Sequence, residues 1–472
     1  MALSRIWAAF ILIAIGVAGI KYVFSPNNKD IFSAMVTGKA GDTLRIHTPA
    51  IAPAPSPATS APSSPAANQG PAPAPGPSPL AGPPPPKNYT LQQANGIIET
   101  CKTAVDLSLG LIGLMALFMG LMSIAEAAGG IRVLSRIVGP FFSRLFPDIP
   151  KGHPAMGHMM MNFSANLLGL DNAATPFALK AMASLQEINP DKNTASNPQI
   201  MFLCLHASGL QLIPITVMAL RASLKAPDPT DVFVPIVIAT FIATIASMSI
   251  VALRQKINLF QPVILAWIGG LSAIIAAVVV YLRTLDADGV QSFSRTLASG
   301  MILLIFLLII GGALYKKINI FEAFVEGAKG GFETAIRIIP YLVGMLVAIS
   351  LLRTSGAFDL VTLGIKHLFT AVGADTRFVD GLPTALIKPF TSAGARGMMV
   401  DTMTTFGNNS FAARLSGILQ GSSESTFYVV AVYFGSVSIK NTRYSIGAML
   451  LADLVGILTS IFLCYLFFGH SA

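Results

Sequence analysis

Residues 261–283 read QPVILAWIGGLSAIIAAVVVYLR, an apolar run whose single charged side chain is the terminal Arg283. A helix needs roughly 20 consecutive apolar residues to cross the hydrocarbon core of a bilayer, and this run is long enough. The run is unbroken and lacks the two-residue alternation of barrel strands. We therefore predict an all-α, polytopic transmembrane helical bundle. The predicted spans are about 6–23, 103–124, 201–220, 231–253, 261–283, 298–315, 333–352, 411–436 and 443–468.

The composition supports the same interpretation. Of the 472 residues, 53% are hydrophobic and 11% are charged, whereas a soluble domain carries about 25% charged residues. The net charge of +9 comes from Lys and Arg placed singly between apolar runs, a pattern that indicates cytoplasmic loops and not nucleic-acid binding. We predict a multi-pass protein of the bacterial inner (plasma) membrane, with the lipid bilayer as its partner and a homo-oligomer as an open option.

Internal repeats organise the chain. The segment IFSAMVTGKAG at 31–41 matches IFEAFVEGAKG at 320–330, and each copy follows an apolar span. Thr334-Ala335 opens the next span directly, whereas the matching Thr103-Ala104 comes only after a Pro/Ala-rich stretch. That stretch has almost nothing to bury, so it predicts an extended linker inserted into the first repeat. The predicted units are 1–48 and 91–256 (repeat 1), 49–90 (linker), 257–289 (joining helix) and 290–472 (repeat 2).

An odd joining helix between two halves that each cross an even number of times would invert the second half. Inverted repeats are a common transporter plan. On this count Arg254-Gln255-Lys256 and Lys316-Lys317 both lie in the cytoplasm, as basic loops should. Lys21, Lys29 and Lys39 would then face outward, against the rule. We predict the inverted arrangement.

Polar, glycine-containing stretches interrupt the apolar sequence at matching places in the two halves. Interrupted helices in a membrane must be buried in protein or line a wet cavity, and paired interruptions favour a binding site at the midplane. The alternative is tight turns at the membrane surface, with Asn and Asp as helix caps. The candidate residues of these stretches are Asn162, Ser164, Asn166, Asp171, Asn172 and Thr175 in the first half, and Thr391, Ser392, Arg396 and Asp401 in the second.

A second polar pair lies inside two predicted spans, 201–220 and 411–436. It adds the candidates His206, Gln211, Gln420, Ser422, Ser423 and Glu424. An acidic group inside a span is costly unless it is paired or hydrated, so Glu424 is notable and Arg396 is its predicted partner. The pair would either bind substrate or protons, or form a purely structural ion pair.

Metal and enzyme chemistry have little support in the sequence. His153, His158 and His206 lack a recognised metal-ligand spacing, and Cys101, Cys204 and Cys464 form no CxxC pair. We expect no metal and no cofactor. An intramembrane hydrolase built on Ser422 and His206 is the remaining enzymatic alternative, but no nucleophile motif supports it.

Several long motifs resemble a known family. FFSRLFPDIPKGHPAMGHMMMNFSANLLGLDNAATPFALKAM (141–182) resembles the signature region of spore maturation protein A. Three segments look like spore maturation protein B: IIPYLVGMLVAISLLRTSGAFD (338–359), IKPFTSAGARGMMVDTM (387–403) and LQGSSESTFYVVAVYFGSVSIKNTRY (419–444). The chain looks like a fusion of the two, and the Pro/Ala-rich linker departs from the family pattern.

The resemblance implies a gate, or nucleoside-recognition, domain in each half, and a role in membrane transport or permeability. It supplies no substrate. We therefore expect a transporter-like protein for a small polar or anionic solute, with a nucleoside-like compound among the candidates. The alternative is a structural or assembly membrane protein that transports nothing.

Overall fold

The structure is a computed structural model that describes residues 2–24, 30–38, 46–47, 89–90, 96–168, 171–282, 284–285, 287–371 and 373–469. The side chains of 171–173 are not part of this description. Apart from Tyr89–Thr90, the linker 49–90 lies outside the described residues, so its predicted extended conformation stays a prediction.

The described residues are almost entirely helical, which confirms the all-α prediction. Two strands of two residues, β1 (Ile46–His47) and β2 (Tyr89–Thr90), pair antiparallel. The helices of the first half are α1 (Ala2–Phe24), α2 (Ile31–Thr37), α3 (Ile97–Ala127), α4 (Gly130–Leu145), α5 (Pro154–Leu167), α6 (Asp171–Glu187), α7 (Asn197–Ser208), α8 (Ile215–Ser223) and α9 (Phe233–Gln255).

A joining helix, α10 (Pro262–Leu282), leads to the second half. Its helices are α11 (Ala287–Tyr315), α12 (Ile320–Thr354), α13 (Ala357–Ala371), α14 (Leu382–Ile387), α15 (Ser392–Phe406), α16 (Phe411–Gly421), α17 (Thr426–Val429) and α18 (Ser445–Phe468). A 3₁₀ turn (Arg377–Asp380) precedes α14, and a π turn (Val430–Phe434) continues α17.

Seven of the described helices are long and apolar enough to cross a bilayer. They are Trp7–Phe24, Ile97–Ala127, Phe233–Gln255, Pro262–Leu282, Arg295–Tyr315, Ile320–Thr354 and Ser445–Phe468. Each of these seven corresponds to one of the nine predicted spans, which confirms a multi-pass membrane protein.

The other two predicted spans are wrong as continuous helices. Within 201–220 the chain stops being helical between α7 and α8, because Gly209 adopts a left-handed conformation (φ 62°) and Pro214 has no N–H to donate. Within 411–436 the helix stops between α16 and α17, where four polar residues follow one another. There the Ser422 hydroxyl donates to the Leu419 carbonyl oxygen (3.0 Å) and competes with the helical backbone.

Helices α3 and α12 form the main contact between the two halves. An added Cβ at Gly331 would lie 2.6 Å from the Met115 carbonyl oxygen, and one at Gly327 would overlap Met119. As the number on α12 falls, the contacted number on α3 rises, so the two helices are antiparallel. Small residues allow this close approach in membranes. Corresponding helices of two repeats that cross antiparallel are what an inverted repeat requires.

The insertion point in the first repeat also has a defined geometry. Gly38, just after α2, packs its backbone nitrogen against Gly96, just before α3. The chain therefore leaves and re-enters the bundle at nearly the same place. In the second repeat α12 runs through the corresponding position without interruption. The predicted domain boundaries agree with this geometry and stay predictions.

Candidate functional site

Four helix breaks define the centre of the bundle. Two lie in the first half, after Leu167 and between α7 and α8. Two lie in the second half, at 388–391 and 422–425. Three backbone hydrogen bonds connect these breaks: from Leu212 N to Leu167 O (2.8 Å), from Glu424 N to Ala207 O (2.8 Å) and from Phe427 N to Pro389 O (2.9 Å). Bonds of this kind satisfy backbone groups that the breaks leave without helical partners.

The first half contributes a neutral wall to this centre. The His206 ring nitrogen Nδ1 lies 2.9 Å from Asn166 Nδ2 and 3.2 Å from Asn162 Oδ1. One ring nitrogen thus faces a donor and an acceptor, so its proton decides which amide it bonds. Asn162 also donates to the Ala174 carbonyl oxygen on α6 (2.7 Å). The Ser164 hydroxyl meets that of Ser135 (3.2 Å), on the side of α5 towards α4.

The second half contributes a charged wall. The Thr391 hydroxyl caps α15 by accepting from Gly394 N (3.3 Å). The Ser392 hydroxyl lies 2.8 Å from that of Ser425, and it is also 3.4 Å from Glu424 Oε2. Residues on both breaks of this half are therefore within hydrogen-bonding distance of one another.

Two further charged side chains are buried beside these breaks. Lys388 Nζ donates to the Gln420 carbonyl oxygen (2.6 Å), and Lys388 is only 6% exposed. Asp453, on α18 and also 6% exposed, accepts a hydrogen bond from the Thr426 hydroxyl (2.7 Å). The charges of Lys388 and Glu424 both act on the Asp453 carboxylate. The centre thus combines two acids and one base.

The structure corrects the predicted partner of Glu424. Among the ion pairs of the described residues there is none between Arg396, which lies one turn into α15, and Glu424. Asp401 is further along the same helix and forms an ion pair with Arg353 of α12, with Nε and Oδ1 3.0 Å apart. These contacts tie α15 to α12.

The remaining predicted residues lie at or near the breaks. Gln211 is in the break between α7 and α8, and Thr175 is on the first turns of α6. Gln420 and Ser422 are buried at the end of α16 and just after it. The side chains of Asp171 and Asn172 lie outside the described residues, so their roles stay predictions.

The sequence also pairs NFSANLLG (162–169) with PFTSAGAR (389–396) as corresponding polar stretches of the two halves, but the two segments are out of register in the structure. The first segment forms the end of the helix before its break, whereas the second contains its break and opens the helix that follows.

The three histidines that would form a metal set lie in different environments. His153 caps α5, with Nδ1 accepting from Ala155 N (3.3 Å). His158 bonds the Ser184 hydroxyl (3.1 Å), and His206 lies at the centre. The described residues contain no cluster of three or more His, Cys, Asp or Glu side chains placed to hold a metal. Nor does any hydrogen bond among them join Ser422 to His206, as the hydrolase alternative would need.

Sequence reasoning missed three features. Asp453 is an acidic residue inside an apolar span, the same signal that singled out Glu424. Lys388 lies within the polar stretch that contains Thr391 but was left out of the site. The third feature is an ion cluster at the edge of the bundle, where Asp231 accepts from Arg221 Nη2 (2.7 Å) and Arg414 Nε (2.8 Å).

Comparisons with known proteins agree with this two-part architecture. The Gate family, described as nucleoside recognition, matches residues 108–225 and 335–440. Spore maturation protein A of Bacillus subtilis (strain 168) is 42% identical over 164 residues, which cover 34% of this chain and 84% of that protein. Spore maturation protein B of the same organism is 45% identical over 168 residues, 35% of this chain and 93% of that protein.

No solved structure matches the chain. The two relatives establish the family of this chain, because it covers more than two thirds of each of them at well above 30% identity. Neither relative's name describes an enzyme. The chain belongs to the family of spore maturation proteins A and B, with the gate domain matched once in each half.

Proposed function

We propose that this protein is a transporter-like protein of the inner membrane that binds a small polar solute where its four helix breaks meet. One observation carries the proposal: backbone hydrogen bonds connect all four breaks around buried polar side chains. Interrupted helices that meet at the interface of two repeats are the usual setting of transporter binding sites. A purely structural bundle has no need of four interruptions in hydrocarbon.

The two walls suggest how a solute would be held. The Asn162, Asn166 and His206 wall offers uncharged donors and acceptors. The opposite wall offers the carboxylates of Glu424 and Asp453 and the ammonium of Lys388. A solute with a hydrogen-bonding ring and a charged or hydroxylated part would meet both. The family description, nucleoside recognition, supports testing nucleosides first.

The central side chains are buried, so a solute must reach them through a movement of the protein. Asn162 is fully buried and Gln420 is 5% exposed. In transporters built from inverted repeats, rocking of one repeat against the other opens such a site to each side in turn. We propose the same movement here, with Glu424 as the acid that couples it or as a counter-ion. We assign no catalytic step to any residue.

The test measures the thermal stability of the purified protein in detergent with nucleosides, small carboxylates and metal ions. A ligand at about 100 times its dissociation constant adds roughly 2.7 kcal/mol to the folded state. Glu424→Gln keeps the size and the hydrogen bond of the side chain and removes its charge. We expect it to abolish the stabilisation by the ligand while the unliganded protein still folds. The matched control is Glu326→Gln, since the Glu326 side chain is 74% exposed and its ion pair is with Lys329, three residues along the same helix.

A structural or assembly role is the second candidate, because the central polar groups largely satisfy one another. It predicts that no compound stabilises the protein and that Glu424→Gln or Lys388→Met destabilises it without any ligand. Ligand stabilisation that survives in Glu424→Gln would contradict the proposed site, even if the protein does transport a solute.

A further inference from the structure

A cavity of about 440 Å³ lies between α4, α5, α9, α10 and the beginning of α11. Its lining is almost entirely apolar, with aromatic side chains such as Phe163, Phe241 and Trp267. Three polar side chains, Ser164, Asn166 and Thr244, also line it, and no ionisable group occurs among its described lining residues. Asn166 also belongs to the neutral wall of the proposed solute site, but that site does not account for the large apolar part of the cavity.

The polar side chains mark the inner end of the cavity. Asn166 Nδ2 lies 2.9 Å from His206 Nδ1, so the centre of the bundle lies immediately behind Asn166. Leu210 and Leu212, in the break between α7 and α8, line the same end. The Asn166 carbonyl oxygen Oδ1 accepts no hydrogen bond from the described residues, so it is available as an acceptor to a molecule in the cavity.

The outer wall of the cavity faces lipid. Leu271 and Ile274 of α10 line the cavity and are also 38% and 63% exposed. Ile264 and Leu282 are the buried residues among those described in α10, and the rest of the helix is partly or fully exposed. The helix rests mainly on α4, where Trp267 meets Phe141 with ring centroids 6.4 Å apart. A single, lightly packed helix therefore separates the cavity from the hydrocarbon of the bilayer.

We propose that this cavity binds a neutral amphiphile, with its hydrocarbon chain in the apolar part and an uncharged, hydroxyl-bearing head at Asn166 and Ser164. Ligand sites have volumes of about 300–1,000 Å³ and combine an apolar lining with a few placed polar groups, as this one does. Water is bound weakly in an apolar space of this kind, because it finds too few hydrogen-bond partners there. A charged head is disfavoured because the lining offers no counter-ion, and a buried, unpaired charge is costly. The Asn166 oxygen requires a donor, which a hydroxyl supplies.

Tryptophan fluorescence gives a direct test. The chain has two tryptophans, Trp7 and Trp267, so Trp7→Phe leaves Trp267 in the cavity wall as the only one. A monoacylglycerol with a dibrominated chain, added to this protein in detergent, should quench Trp267 saturably. Unlabelled 1-oleoylglycerol should reverse the quenching. Oleate has the same chain with a charged head and should compete at least ten-fold more weakly, and glycerol should not compete at all.

Two further variants locate the bound molecule. Val237→Phe places a larger side chain in the cavity wall and should weaken quenching at least ten-fold. Val280→Phe, on the exposed side of α10 (63% exposed) and outside the lining, should leave it unchanged. Quenching that never saturates, or that both variants affect equally, would show only contact with bulk amphiphile and overturn the proposal.

The comparison of 1-oleoylglycerol with oleate uses protein with an unaltered cavity. It therefore tests the proposed uncharged head group even if Val237→Phe does not fold. Competition by oleate as strong as that of 1-oleoylglycerol would overturn the uncharged head. None of these results depends on whether the centre of the bundle binds a polar solute.

Discussion

Replacing Asp231 by asparagine removes the negative charge that two buried arginines share. The Arg221 side chain is fully buried and that of Arg414 is 4% exposed, while the Asp231 side chain is 10% exposed. Arg221 ends a helix of the first half and Arg414 belongs to α16 of the second, so this one carboxylate links the halves. After the substitution, two guanidinium groups would face each other without a shared counter-ion.

The size of the effect follows from this burial. Breaking a buried ion pair by removing one partner costs about 3–5 kcal/mol, because the remaining charge is left uncompensated. Since about 1.4 kcal/mol corresponds to a factor of ten, the unfolding equilibrium constant should rise by two to four orders of magnitude. The assay is unfolding of the purified protein in detergent, followed by helical circular dichroism.

Asp228→Asn is the matched control. Asp228 lies three residues earlier and pairs with Arg295, whose side chain is 65% exposed. The Asp228 side chain is itself 14% exposed, but because Arg295 is solvated the pair is screened and should contribute about 0–1 kcal/mol. The double variant Asp231→Asn with Arg414→Met should be less destabilised than the two single changes predict, since it removes one of the two positive charges that the Asp231 carboxylate neutralises. If Asp231→Asn is no more destabilising than Asp228→Asn, the cluster does not hold the halves together and our reasoning is wrong.

Three other predictions use features of the same bundle. Gly331→Ala should cost about 1–3 kcal/mol in thermal unfolding because its Cβ would press on Met115, whereas Gly330→Ala, with open space around it, should be neutral or slightly stabilising. Burial raises the pKa of Asp228, but hydrogen bonds from Thr230 and Arg295 outweigh it and hold that pKa below its ordinary 3.8. The stability it contributes is therefore present above pH 3.8 and lost as the pH falls through the lower value, so wild type and Asp228→Asn should converge there. Replacing 39–95 by a short glycine linker should leave the melting temperature of the bundle nearly unchanged, since Gly38 and Gly96 are neighbours.

The sequence was most informative about long spans and about where helices are interrupted. Glycine and polar clusters within apolar runs correctly indicated broken helices. Such clusters weaken a helix, and the backbone groups that they free must find partners inside the protein. It was less informative about whether a run is one helix. The runs 201–220 and 411–436 have the length and hydropathy of spans, and only Gly209, Pro214 and the Ser422–Ser425 segment show otherwise.

Contacts between residues that are far apart in the chain could not be predicted from the sequence. Asp231 and Arg414 are 183 positions apart, and no local pattern relates them. Arg396 was matched to Glu424 because both lie in polar breaks of one half. The structure nevertheless shows no ion pair between them among the described residues, so lying in neighbouring breaks of one half was not enough to predict a contact. Lys388, on the break itself, is the basic residue that the fold places at the centre.

The two halves have diverged in charge where they meet. The first half presents Asn162, Asn166 and His206, while the second presents Lys388, Glu424 and Asp453. A transporter with two identical walls would hold a symmetric solute equally in either direction. In the proposed function, two different walls would instead fix the orientation of a bound solute relative to the repeat that moves. If the proposed function is right, Glu424→Gln, which removes charge from one wall only, should alter solute binding more than it alters the stability of the protein, and the ligand panel measures both.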